Sequence, residues 1–344
     1  MHLFARLLLA IVLLSLPLRA EEFLAGVRRI VFLGDSITHA GHYVDNFEAY
    51  LLTRFPGRTF EVINVGLPSE TVSGLSEEGH AGGKFPRPDL HERLDRVLEQ
   101  IKPDFVFACY GINDGIYQPF SEERFAKFQD GIRRLREKVS AANARIIHLT
   151  PFVFDPVPIK ARTAPAGAQT HDKPFEGYDE VLDRYTAWLV AQRAEGWRVI
   201  DLHTTLEQIL AARRAADPSF RFAEDGVHPN AAAHWIATME IVGDLAGSER
   251  PRAMQLLNEL RAPDFEPALL KLVRERGRLL TAAWLTQTGH ARPGMARGLP
   301  VEQAQARAAE LEKPIRDAAN RARAAFGNND QGSRLEAQGS PNAQ

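Results

Sequence analysis

Between Arg28 and about Leu245, short apolar runs alternate with longer helical stretches, and this alternation limits the possible folds more than any other feature of the chain. Five runs read as strands: Arg29–Leu33, Phe60–Val65, Phe105–Tyr110, Arg145–Thr150 and Arg198–Leu202. Several are apolar at both alternate positions, as strands buried on both faces are. Helix-length segments separate them at Val44–Arg54, Asp89–Ile101, Ser121–Ala142, Tyr178–Glu195 and Thr204–Ala215, with a last one at Ala231–Ala246. Strands spaced by helices predict a five-stranded parallel sheet in a three-layer α/β/α domain.

In such a domain ligands gather at the carboxyl ends of the strands. The segments Gly34–His42, Gly66–Pro88, Gly111–Phe120 and Pro151–Gly177 follow strands and are expected to share one rim. Two of them are long for a compact domain, and loops of that length are often functional. Aromatic and basic residues on them, Phe85, Arg87, Tyr117 and Phe120, suit either sugar contact or packing.

The ends of the chain read differently. Residues 1–20 carry Arg6, an apolar stretch from Leu7 to Leu18 and then Ala20 before an acidic pair, the pattern of a signal peptide cleaved after Ala20. That stretch is short for a bilayer span, so the expectation is a secreted or periplasmic protein with no stable membrane insertion after cleavage. The α/β domain of the mature chain is therefore expected over 21–247. Beyond Gly247, helices are expected at Glu249–Arg261, Pro267–Trp284 and Val301–Ala325, an extension over 248–326. Its loop Thr288–Gly294 carries His290 and Arg292, placed either to reach the rim or as a plain connector. The polar tail 327–344 is expected to be disordered. A net charge of −2 gives no electrostatic argument for nucleic acid or an anionic membrane. The single cysteine, Cys109, precludes an intramolecular disulfide and reads as a buried strand residue.

Ser36 stands just past the first strand, where a helix should begin. Backbone N–H groups and the positive end of a helix dipole at such a place can hold an oxyanion formed when the hydroxyl attacks a carbonyl. Asp225 and His228, three residues apart before the last helix and its expected N-cap Asn230, can lie side by side as orienter and base. Asn113, on a glycine-flanked loop after the third strand, can aim its amide at the same point. Each signal alone reads more readily as a turn or a cap than as catalysis.

Together, Gly34-Asp35-Ser36-Ile37, Asn64–Thr71, Gly111-Ile112-Asn113-Asp114 and Asp225-Gly226-Val227-His228-Pro229 resemble, in order and strand context, the four sequence blocks of the SGNH, or GDSL-type, hydrolases. The resemblance covers Arg28 to Leu245 and implies the flavodoxin-like SGNH fold. It implies Ser36 as nucleophile, His228 as base and Asp225 as its orienter. The oxyanion would be held by the Ser36 N–H, the Asn113 amide and a backbone N–H of the second block. At that last position the family's glycine is replaced by Ser69, which can serve if its dihedral angles are not restricted to glycine, with Gly66 the alternative. Asp35 is expected to brace the nucleophile loop rather than join the triad.

The expected activity is a serine esterase releasing a small acyl group, O-acetyl on carbohydrate, through an acyl-enzyme, as in relatives resembling rhamnogalacturonan acetylesterase. Alternatives are a lipase or thioesterase using longer acyl chains, and a glycan-binding protein without turnover. The sequence carries no Walker A loop, dinucleotide fingerprint or Gly-x-Ser-x-Gly elbow. His39, His42, His80, His91 and His148 lack metal-ligand spacing, so neither cofactor nor metal is expected.

Overall fold

The computed structural model describes residues 24–165, 168, 173–261 and 266–338, apart from the side chains of 266 and 327–338. The signal-peptide reading of 1–20 and residues 339–344 lie outside them.

Five strands form one parallel sheet in the order β2-β1-β3-β4-β5: β1 Arg29–Gly34, β2 Glu61–Asn64, β3 Phe105–Cys109, β4 Arg145–Leu149 and β5 Arg198–Ile200. Strand β3 is buried at every residue and β1 at all but its first, which explains their continuous apolar sequences. In register, Leu33 lies beside Ala108 and Gly34 beside Cys109, so the loops after β1 and β3 leave the sheet at the same edge.

The chain leaves β1 into a short helix, α1 (Ser36–Ala40), which breaks at Gly41 with φ 84° and resumes as α2 (His42–Arg54). A Cβ at Gly34 would fall 2.1 Å from Thr38 Oγ1, so only glycine permits this immediate turn. The remaining helices of the α/β unit are α3 (Leu90–Ile101), α4 (Glu122–Ala141), α5 (Tyr178–Ala191), α6 (His203–Ala216) and α7 (Ala231–Ala246). Helices α2 and α7 pack together on one face. On the other, α3 packs on α4, and Phe125 and Phe128 of α4 stack on Tyr185 of α5.

The chain after Gly247 forms α8 (Arg250–Leu260), α9 (Lys271–Thr288) and α10 (Val301–Gln338), all packed on α2. The helix expected over Val301–Ala325 thus runs on to Gln338, through much of the stretch expected to be disordered. Ion pairs Arg54–Glu249 (2.8 Å) and Arg276–Glu48 (2.9 Å) fasten the extension to α2. This cover explains why α2 is buried almost throughout, Asp45 and Glu48 included.

Candidate active site

Ser36 is the first residue of α1, and Asp35 caps that helix, its Oδ1 accepting the Ile37 N–H at 2.9 Å. Asp35 is buried, and desolvation, countered by that N–H, pushes its carboxyl up to about 7. It is not bonded to His228, in keeping with a bracing role.

Asp225 and His228 sit on the turn before α7, and Asn230 caps that helix through the Ala232 and Ala233 N–H groups at 3.0 and 3.2 Å. The turn needs Gly226 at φ 80°, where a Cβ would meet the Asp155 carbonyl at 2.5 Å. It is tied down by the Asp155 N–H donated to the Gly226 carbonyl at 2.8 Å, and Asp155 is itself paired with Arg214. His228 Nδ1 lies 2.6 Å from Asp225 Oδ2 and Nε2 lies 2.8 Å from Ser36 Oγ. The Val227 and His228 N–H groups donate to Asp225 Oδ1 at 3.0 and 2.8 Å. Burial works against the Asp225 charge, but these donors hold its carboxyl well below the usual range. The Asp225 hydrogen bond in turn raises the His228 imidazole above its ordinary value, against partial burial. A carboxylate, an imidazole and a hydroxyl in one hydrogen-bonded row can pass the hydroxyl proton to the imidazole while the carboxylate fixes the tautomer.

Around Ser36 the structure sorts the remaining expected residues. Neither the Ser36 nor the Ser69 backbone N–H has an acceptor among the described residues. Ser69 has φ 72°, the left-handed conformation that favours glycine, so the chain turns here as it would around a glycine and keeps its N–H. Gly66 is corrected: its N–H is donated to Asn64 Oδ1 at 2.9 Å and is not available to an oxyanion. Its missing side chain serves packing instead, since a Cβ there would lie 2.5 Å from the His39 nitrogen. Asn113 donates one amide hydrogen to the Glu70 carbonyl at 3.1 Å, and its Oδ1 accepts from the Tyr117 hydroxyl at 3.1 Å, so its second hydrogen remains for a ligand.

Sequence reasoning missed the frame behind these groups. Asp114 Oδ1 accepts the Val72 and Ser73 N–H groups at 2.9 Å each, joining the Asn113 loop to the Ser69 loop. Behind them, Arg93 grips Glu70 through two hydrogen bonds, and the Tyr110 hydroxyl adds a third at 2.7 Å. Tyr178 accepts the Gly115 N–H at 3.0 Å and donates to the Ile112 carbonyl at 2.9 Å. The one sequence signal for this frame was Arg93 among Leu90, Leu94 and Val97 on the buried side of α3.

The rim residues divide. Arg87 holds Glu77 at 2.6 and 2.7 Å and lies over the Tyr117 ring, so both brace the rim. Phe120 packs on Phe125 under Arg184. His80 bonds Glu77, His91 bonds the Gly131 carbonyl, and His42 packs against His234. Burial pushes His148, stacked on Trp197, down to about 3. The loop 288–296 does reach the rim: Arg292 covers Phe85, and Gly294–Ala296 share a cavity wall with His39. Cys109 is buried, as expected. Among the described residues one group, Asp183, His203 and Glu207, brings metal-ligand atoms within 4.8 Å of one another, on α5 and α6; His203 Nε2 there is already bonded to Asp183 at 3.0 Å.

One five-stranded parallel sheet in the order β2-β1-β3-β4-β5, covered by helices on both faces, makes this a three-layer α/β/α protein. The GDSL-like Lipase/Acylhydrolase family matches residues 32–236, more than half of the chain, and the chain belongs to that family of ester hydrolases. No protein with a curated description matches the sequence. Among solved structures the chain is similar to BT4096, described as a gut microbial diltiazem-metabolizing enzyme, with 21% identity over 64% of this chain and 47% of that one, at a TM-score of 0.48. It is also similar to Axe2, an acetylxylan esterase from Geobacillus stearothermophilus, with 24% identity over 63% of this chain and 94% of that one, at a TM-score of 0.46.

Proposed function

We propose that the protein is an exported serine esterase that removes a small acyl group, O-acetyl, from a carbohydrate. The observation that carries the catalytic part is the hydrogen-bonded row Ser36–His228–Asp225. In this reading Ser36 Oγ attacks the ester carbonyl as His228 Nε2 takes its proton. The Ser36 and Ser69 N–H groups and the free Asn113 hydrogen hold the oxyanion, and the tetrahedral intermediate collapses as His228 returns the proton to the departing alcohol. Water, deprotonated by the same imidazole, then attacks the acyl-enzyme and releases the carboxylic acid and free Ser36. Export rests on the character of residues 1–20; among the described residues no helix is long and apolar enough to cross a membrane.

The carbohydrate part is supported by how open the row is. The His228 and Asp225 side chains are 54% and 49% exposed, leaving room on the leaving-group side for a bulky alcohol. The test is a panel of 4-nitrophenyl acetate, 4-nitrophenyl octanoate, acetylated xylan and acetylated pectin. Acetate release from a polysaccharide, with acetate favoured over octanoate, supports the reading. Preference for octanoate assigns a lipase or thioesterase, and binding of deacetylated glycan without any turnover assigns a binding protein.

A further inference from the structure

A cavity of about 330 Å³ lies between the nucleophile helix and the C-terminal extension, outside the row described above. His39 and Gly41, at the end of α1, form one wall, and His39 is one helical turn from Ser36. Thr281 and Leu285 of α9 form the other, and Met295 of the following loop lies across it. Its volume falls in the range of small-molecule pockets. The α9 and Met295 contributions come from beyond the family match, which ends at residue 236.

Inside it stands Asp45 of α2. Asp45 is only 8% exposed, and its carboxyl makes no hydrogen bond or ion pair among the described residues. Two glycines keep that carboxyl uncovered. A Cβ at Gly41 would lie 3.3 Å from Asp45 Oδ2, and one at Gly277, inside α9, would lie 2.8 Å from Oδ1. A glycine within a helix weakens it relative to alanine, so its place opposite an unpartnered carboxyl fits a need for space there.

The surroundings select the ligand. A hydrocarbon chain would bury Asp45 without a hydrogen-bond partner, which is costly. Arg276 and Glu48 beside Asp45 are already paired with each other at 2.9 Å, and burial pushes the Asp45 carboxyl up to about 8, so Asp45 offers a hydrogen-bonding group rather than a fixed charge for an ion. What remains is a neutral molecule rich in hydroxyls, with Leu285 and Met295 as apolar contacts.

We propose that this cavity is a saccharide subsite, built by the extension, that receives a neutral sugar ring of the esterified glycan and hydrogen-bonds its hydroxyls through Asp45. This rests on the carbohydrate esterase reading above and deepens it, since the extension would then set glycan preference as well as cover α2.

The direct test is calorimetric titration of the full-length Ser36→Ala protein with unacetylated xylo-, cello- and mannotetraose. One of them is expected to bind, and adding either Gly277→Ala or Asp45→Ala is expected to weaken it at least tenfold. A thermal melt of each variant at the parent midpoint excludes unfolding as the cause of a loss of binding. In the protein with Ser36 intact, Gly277→Ala is expected to lower the ratio of kcat/KM on the acetylated oligosaccharide to that on 4-nitrophenyl acetate about tenfold. No saccharide binding, or binding indifferent to both substitutions, overturns the proposal and leaves a water-filled cavity. A Gly277→Ala loss confined to octanoate esters also overturns it and assigns the cavity to an acyl chain. Saccharide binding that depends on Gly277 in a protein hydrolysing no ester would sink the esterase reading and keep the subsite; ester hydrolysis without saccharide binding would do the reverse.

Discussion

The Glu70 carboxylate takes hydrogen bonds from the Arg93 guanidinium at 2.6 and 2.7 Å, and neither side chain reaches solvent. The Glu70 carbonyl, in the same residue, accepts from Asn113. A buried ion pair is therefore tied through one residue to the Asn113 amide.

Breaking this pair on one side is predicted to be severe. Glu70→Gln leaves Arg93 charged and uncompensated, at a cost of about 3–5 kcal/mol, or a fall in Tm on the order of 10 °C. Thermal denaturation checks this, and kcat is expected to fall as well because the Asn113 loop loses its anchor. The double change Glu70→Gln with Arg93→Met is expected to recover part of the stability, since it removes the stranded charge.

Position 69 is expected to tolerate glycine and to reject a branched side chain. Ser69→Gly keeps the N–H and removes left-handed strain, so kcat/KM is retained and stability shifts by no more than about 1 kcal/mol. Ser69→Ile is expected to cost about 1–2 kcal/mol and to lower kcat. Denaturant melts with parallel aryl acetate assays measure both.

The pH profile follows from the row. His228 must be neutral to accept the Ser36 proton, and Asp225 raises its pKa above the ordinary value of 6.5, so kcat/KM rises with pH through that raised value. Asp225→Asn removes the main cause of the shift and is expected to move the acidic limb down, with a lower plateau. Asp35, pushed up to about 7 by burial, offers a second origin for such a limb. Asp35→Asn keeps the helix cap and is expected to leave the limb where it was; a limb that moves with Asp35 instead contradicts the assignment to His228.

How legible the molecule was in its sequence depended on how local each signal is. The strands were readable because Ile30–Leu33 and Phe105–Cys109 are buried on both faces and admit only apolar residues. Asn230 was readable as a cap, and Asp225 and His228 as neighbours, because three residues on a turn fix their own geometry. The choice between Ser69 and the alternative Gly66 was not legible, because the Gly66 N–H goes to Asn64, two residues back, and its Cβ space to α1, neither of which a pattern encodes. The Glu70–Arg93 pair joins residues 23 apart, and the extension closes on Asp45 from residue 277. Such contacts arise only when helices are laid on the sheet.

The most direct test of the central claim is to treat the full chain with a fluorophosphonate at pH 8 and map the adduct by peptide mass spectrometry. One adduct is expected, on Ser36, formed far more slowly in His228→Ala, with a loss of ester hydrolysis of at least about 10⁴-fold in Ser36→Ala. An adduct on another residue, or hydrolysis that persists in Ser36→Ala, would contradict it.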